Sequence, residues 1–75
     1  MLVSYNKLWK RLVDMKMSQA ELRRKTGVAS GTMTKLRRDE DVSMDVIKKI
    51  CEVCHCNVGD MMDIYQEEHE ELVRG

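Results

Sequence analysis

Residues Ser18–Arg38, SQAELRRKTGVASGTMTKLRR, carry the densest local instruction in the chain. Ser18 stands three residues before Glu21. In this S-x-x-E spacing a serine hydroxyl accepts a free backbone N–H at a helix start and the glutamate reaches back. It predicts a short helix to about Lys25 with Leu22 facing inward. Gly27 falls where that helix ends in the left-handed conformation, which glycine adopts without a Cβ clash. Val28 then packs inward from the turn. Ser30 is the next expected cap, opening a helix from Gly31 to about Arg38. Met33 and Leu36, three residues apart, share its core face. Ser30, Gly31, Thr34, Lys35 and Arg38 are left outside. The second helix is basic and rich in small residues, a shape suited to the major groove of DNA.

The flanking segments read as supports for this unit. Ser4 is the expected cap of a first helix reaching about Lys16, with Leu8, Leu12 and Met15 on one face, widened by Trp9 and Val13. After the polar connection Asp39-Glu40-Asp41, Ser43 caps a helix whose inward face is Ile47, Ile50, Cys51 and Cys54, helped by Val46 and Val53. Asn57 is expected to open a fifth helix through Val58, Met61, Met62, Ile64 and Tyr65. The sequence therefore predicts an all-α domain of five helices over residues 1–75, with a core at about 4–65 and an acidic extension at 66–75.

At 75 residues the chain is near the lower size limit for a self-sufficient core. Its charge is zero overall but divided. Residues 1–38 hold ten basic side chains against two acidic ones, a net +8. Residues 39–75 hold three against eleven, a net −8. Such a split points to an anionic partner for the first half, or to attraction between the halves. The start, MLVSYNKLWKRL, shows neither a secretory signal pattern nor a membrane span, so a cytoplasmic location is the expectation.

Three cysteines are expected as thiols in that compartment. Cys51-Glu-Val-Cys54-His55 spells the C-x-x-C-H haem-attachment pattern, and Cys56 adds a third thiol. Covalent haem of that kind belongs to exported proteins, and Cys51 and Cys54 fall on the inward face of their helix. Cys54, His55 and Cys56 are nearly adjacent, which hinders convergence on a tetrahedral zinc ion. Core packing is the preferred reading, with a thiol-responsive role as a weaker one. Neither His55 nor His69 has a nucleophile or carboxylate arranged with it. No cofactor, metal or enzyme activity is expected.

The run Met17-Ser18-Gln19-Ala20-Glu21-Leu22, then Gly27-Val28, then Met33 and Leu36, resembles the helix-turn-helix of lambda-repressor-like, Cro-type regulators, the XRE family. VSYNKLW near the start and CNVGDMM near residue 60 are similar to the short VanU-type regulators. The resemblance implies a five-helix DNA-binding domain covering roughly residues 4–65. It maps Ser30, Gly31, Thr34 and Lys35 onto base-reading positions and Gln19 onto a phosphate-holding one. Ser18, Thr32, Arg37 and Arg38 are further phosphate candidates, with Lys16 and Arg24 weaker. Two departures stand out. Arg23 occupies a position usually held by Ala, and Leu12 and Arg37 stand where relatives often pair Arg with Glu, which would free Arg37 for solvent or phosphate.

These readings converge on a sequence-specific regulator of transcription that binds double-stranded DNA as a homodimer, with RNA polymerase or another protein as a further partner. Met61, Met62, Tyr65 and Leu72 are the expected dimer contacts. The alternative is a protein-interaction module on the same fold, antitoxin-like or inhibitor-type, using the acidic half.

Overall fold

The computed structural model describes residues 2–66. The chain runs β1 (Leu2–Ser4), α1 (Asn6–Met15), α2 (Gln19–Thr26), α3 (Ser30–Arg37), α4 (Met44–Cys54), a 3-10 turn (Val58–Asp60) and β2 (Asp63–Tyr65). Four helices therefore stand where five were expected. The segment read as a fifth helix is instead a single turn followed by a strand. Asn57 and Asp60 close a reciprocal capping box around the turn. Gly59 inside it is a poor helix former. Beyond Met61 the alternating residues Asp63, Ile64 and Tyr65 pair antiparallel with β1, in the register Leu2 with Tyr65, Val3 with Ile64 and Ser4 with Asp63.

α1 presents Leu8 and Leu12 to the core, with Trp9 half-buried beside them. Val13 is 75% exposed and Met15 38%, so the inward stripe is narrower than the sequence suggested. One residue of helix rotates a side chain by about 100°, which turns Val13 away from Leu12. Met15 lies in the last turn before the chain reverses at Lys16, whose φ is 57°. Met17 N–H bonds Leu12 O at 2.9 Å and Lys16 N–H bonds Val13 O at 3.0 Å, the paired pattern of a Schellman termination.

Ser4 is not the cap of α1. It closes β1, and its Oγ accepts the Asn6 N–H at 3.3 Å. Tyr5 holds the N-cap position without a side-chain cap, and the first turn contains no acidic residue. The missing acid comes from elsewhere in the chain: Asp39 Oδ1 accepts the Tyr5 N–H at 3.0 Å. A carboxylate there also faces the positive end of the helix dipole. Tyr5 returns the contact by donating its hydroxyl to Glu40 O at 2.8 Å. The Asp39-Glu40 connection, expected only as a polar link, therefore clasps the start of α1.

α2 begins under Ser18, whose Oγ accepts the Glu21 N–H at 3.0 Å. Glu21 does not complete the reciprocal box but lies 3.6 Å from Lys25 one turn on. α2 ends at Gly27, φ 74°. The buried Thr26 hydroxyl donates to Leu22 O at 2.8 Å. α4 starts under Ser43, as expected, and turns Ile47, Ile50 and Cys54 inward. It packs on α2, and α2 on α3. Leu8, Leu22, Leu36, Ile50 and Met61 are fully buried where these elements meet, each contributing about 1.5–3 kcal/mol. Among the described residues no buried side-chain nitrogen or oxygen lacks a hydrogen-bond partner.

Candidate nucleic-acid interface

α3 is held in the fold by Met33 and Leu36, both buried. The opposite side of the helix is consequently free of the core. Ser30, Gly31, Thr34 and Lys35, at relative positions one, two, five and six, are all exposed on it. A Cβ built at Gly31 would meet nothing within 4 Å, so the glycine leaves an open surface rather than a close internal contact. Ser30 is not a cap. Ala29 holds the N-cap position with extended backbone and no side-chain bond, and Ser30 is the first helical residue. Its hydroxyl is therefore not committed to capping its own helix.

The exposed side chains of α2 and α3 are tied together by Arg37. Its Nη1 donates to Gln19 Oε1 at 3.2 Å and its Nη2 to Thr34 Oγ1 at 3.2 Å. Thr34 Oγ1 in turn donates to Ser30 O at 3.2 Å. The guanidinium thus bridges the first turn of α2 to the middle of α3. Arg37 was expected to be freed for solvent or phosphate by the loss of an ion pair with the first helix. It is exposed, but it is engaged by neutral acceptors, and Leu12 packs in the core instead.

The electrostatics of this face are strongly positive. Arg23, Arg24, Lys25, Lys35, Arg37 and Arg38 are all exposed on or directly after α2 and α3. Lys25 pairs with Glu21, and Arg38 reaches Glu40 at 3.9 Å. Among the described residues no acidic group lies within 4.0 Å of the side-chain nitrogens of Arg23, Arg24, Lys35 or Arg37. Arg23 is exposed and keeps its charge in water. Thr32 is half-buried, whereas Ser18 and Gln19 are exposed at the start of α2. Such a set of unneutralised cations beside small polar side chains can receive a phosphate backbone while short donors approach base edges.

The expected dimer contacts are divided. Met61 is fully buried in the core, so it packs inward rather than outward. Met62 is half-buried and Tyr65 46% exposed. Leu72 lies outside the described residues. Tyr65 and Ile64 instead sit with Leu2 on the β1–β2 hairpin, where Leu2, Met44, Val58, Met62 and Ile64 line an open groove of about 570 Å³. The sequence carried no warning of this surface, because the strands that make it join residues 59 to 63 positions apart.

All three cysteines are free thiols, Cys54 buried and Cys51 and Cys56 half-buried. Among the described residues no group of three or more His, Cys, Asp or Glu side chains is arranged to hold a metal ion. No helix in this region is long and apolar enough to cross a membrane.

Comparison with known proteins agrees with the geometry. The Cro/C1-type HTH DNA-binding domain matches residues 7–67. The crystal structure of the transcriptional regulator VanUg, form II, is similar with a TM-score of 0.84 and 45% sequence identity, over 88% of each chain. No curated protein sequence matches. With a helix-turn-helix whose outer face is polar and basic, and a family match over most of its length, the chain belongs to the Cro/C1-type helix-turn-helix family of non-enzymatic DNA-binding regulators.

Proposed function

We propose that this chain is a sequence-specific regulator of transcription that binds its operator as a homodimer in the cytoplasm. α3 enters the major groove. Ser30, Thr34 and Lys35 meet base edges, and Gly31 admits a close approach. Lys35 has the reach for guanine O6 and N7. Ser18, Gln19, Thr32, Arg37 and Arg38 hold phosphates, with Gln19 and Arg37 side by side. The observation that carries this reading is the Arg37 bridge, which fixes the phosphate-facing start of α2 relative to the base-facing side of α3. Three or four phosphate contacts per subunit give a salt slope of roughly −3 to −4. That is weak for one copy, so two copies on half-sites about 34 Å apart are required.

The dimer contact is assigned to the β1–β2 end of the molecule, where Leu2, Met62 and Ile64 line the groove and Tyr65 is exposed beside it. This is an exposed apolar surface of the kind that marks association sites, and it leaves α3 free for DNA. The same surface favours a second reading, in which the groove receives a different protein. Fluorescence anisotropy with duplexes from the gene's own upstream region separates the two. The regulator reading expects saturable binding that weakens steeply with salt and is lost when Lys35 and Arg38 are both replaced by Ala. Unchanged binding in that double variant overturns the site assignment. No affinity for DNA at low salt, with a stoichiometric protein partner in the native host, favours the second reading.

A further inference from the structure

The DNA-binding reading leaves a pair of thiols unused. α4 ends with His55 in the left-handed conformation, φ 52°, and Cys56 N–H bonds back to Cys51 O at 3.0 Å. In a helix termination of this type the side chains on the last-turn residue and on the residue five later meet, usually as an apolar contact. Here both carry sulfur. Cys51 and Cys56 line the same shallow cleft with Glu52, His55, Asn57 and Asp60, and both are half-buried rather than sealed. Cys54, by contrast, is 1% exposed in the core. Of the three thiols, two therefore share a cleft and are reachable, while the third is sealed in the core.

We propose that Cys51 and Cys56 form a modification site, a dithiol that small-molecule disulfides such as glutathione disulfide convert reversibly to an intramolecular disulfide. One thiol, as its thiolate, attacks a sulfur of glutathione disulfide, forming a mixed disulfide and expelling one glutathione thiolate. The second thiol then loses its proton, attacks the protein-side sulfur and expels the second glutathione. The protein loses two hydrogens and two electrons, and glutathione disulfide becomes two glutathione molecules. The 3.0 Å backbone bond brings the two residues together at the helix end, and the Cys51 and Cys56 side chains lie within hydrogen-bonding reach of each other.

The surroundings set the rate. Burial raises the Cys56 thiol above its ordinary range, and the neighbouring Cys51 raises it further. The Arg11 guanidinium, which donates to Cys54 O at 3.1 Å and His55 O at 3.2 Å, works in the opposite direction. Asp60 adds to the upward shift. Exchange therefore accelerates as pH rises and continues to do so beyond the ordinary thiol range, because the thiolate is the reacting species.

The site stands independently of DNA binding, and so does its test. The folded, reduced chain is equilibrated in glutathione and glutathione disulfide, quenched in acid, alkylated with iodoacetamide in denaturant and weighed. The expected result is a loss of about 2 Da before alkylation and a fall from three alkylated cysteines to one, reversed by dithiothreitol. Cleavage after Glu52 should leave the Cys51 peptide linked to the one containing Cys56, with the alkyl group on Cys54. Cys54→Ala should retain the linkage, and Cys51→Ser and Cys56→Ser should each abolish it. A bond involving Cys54, a bond between two chains, an adduct that stops at glutathione, or no oxidation overturns the proposal.

Discussion

The two ends of this molecule are built on opposite plans. The α2–α3 unit is assembled from neighbours in sequence. Ser18 caps its own helix, Gly27 ends it, and the turn to α3 spans three residues. Its outer face is polar and positively charged. The hairpin end joins Leu2–Ser4 to Asp63–Tyr65 and leaves apolar side chains in solvent. Local construction gives a surface its own sequence can hold in place, as a reading head requires. Non-local construction closes the domain and leaves an exposed apolar edge, which suits the proposed self-association. The two surfaces should therefore fail independently of each other, whereas the core between them should not.

Leu22→Ala is the largest perturbation and should break the distinction, because this fully buried residue sits where α2 meets the core. A loss of about 3–4 kcal/mol is expected, read in a denaturant melt, with both surfaces lost together. Ile64→Lys comes next. A lysine in an apolar contact should weaken self-association by about 3 kcal/mol, seen by sedimentation. The thermal midpoint of the monomer should hold, since Ile64 is already 64% exposed. Lys35→Ala should cost about 1–3 kcal/mol of operator binding while leaving both self-association and stability in place. An Ala variant that bound as tightly as the parent would remove Lys35 from the reading set.

Smaller effects should appear at the clasp between the ends. Tyr5→Phe removes the bond to Glu40 O and should lower stability by about 1 kcal/mol. Burial raises the Tyr5 phenol above its ordinary value of 10.0, and Asp41 and Asp39 add to the shift. A raised value in the folded state means that this stabilisation is complete below pH 10 and is lost as pH climbs through the folded value. The alkaline fall in stability should accordingly be steeper in the parent than in Tyr5→Phe. Lys16→Gly is the smallest and has the opposite sign. Relieving a left-handed lysine should stabilise by about 0.5–1 kcal/mol, visible as a higher thermal midpoint.

The same contrast explains what could be read before the structure. The caps Ser18 and Ser43, the turn at Gly27 and the inward residues Leu22, Met33 and Leu36 act within a turn or two of themselves. The exposed face of α3 followed from them by subtraction. Ser30 was misplaced by one residue because capping rules favour a side-chain oxygen, whereas Ala29 takes the position by extended backbone alone. The hairpin was misread because Met61-Met62-Asp63-Ile64-Tyr65 is short and apolar, and periodicity does not separate helix from strand over such a length. Only its partner at residues 2–4 settles the matter. Arg37 was placed on the right helix, but the direction of a long side chain depends on where Gln19 sits in three dimensions.

Asp39 shows how a position can be occupied yet look tolerant. Its backbone is left-handed, φ 57°, a conformation that glycine relaxes by about 1 kcal/mol. Its carboxylate accepts the N–H of Tyr5, the N-cap residue of α1, a contact worth about as much in the other direction. Asp39→Gly alters both at once, so a stability scan would register near silence there. The residue becomes visible in a substitution such as Asp39→Ala, which removes the contact and keeps the left-handed strain, so the two no longer cancel.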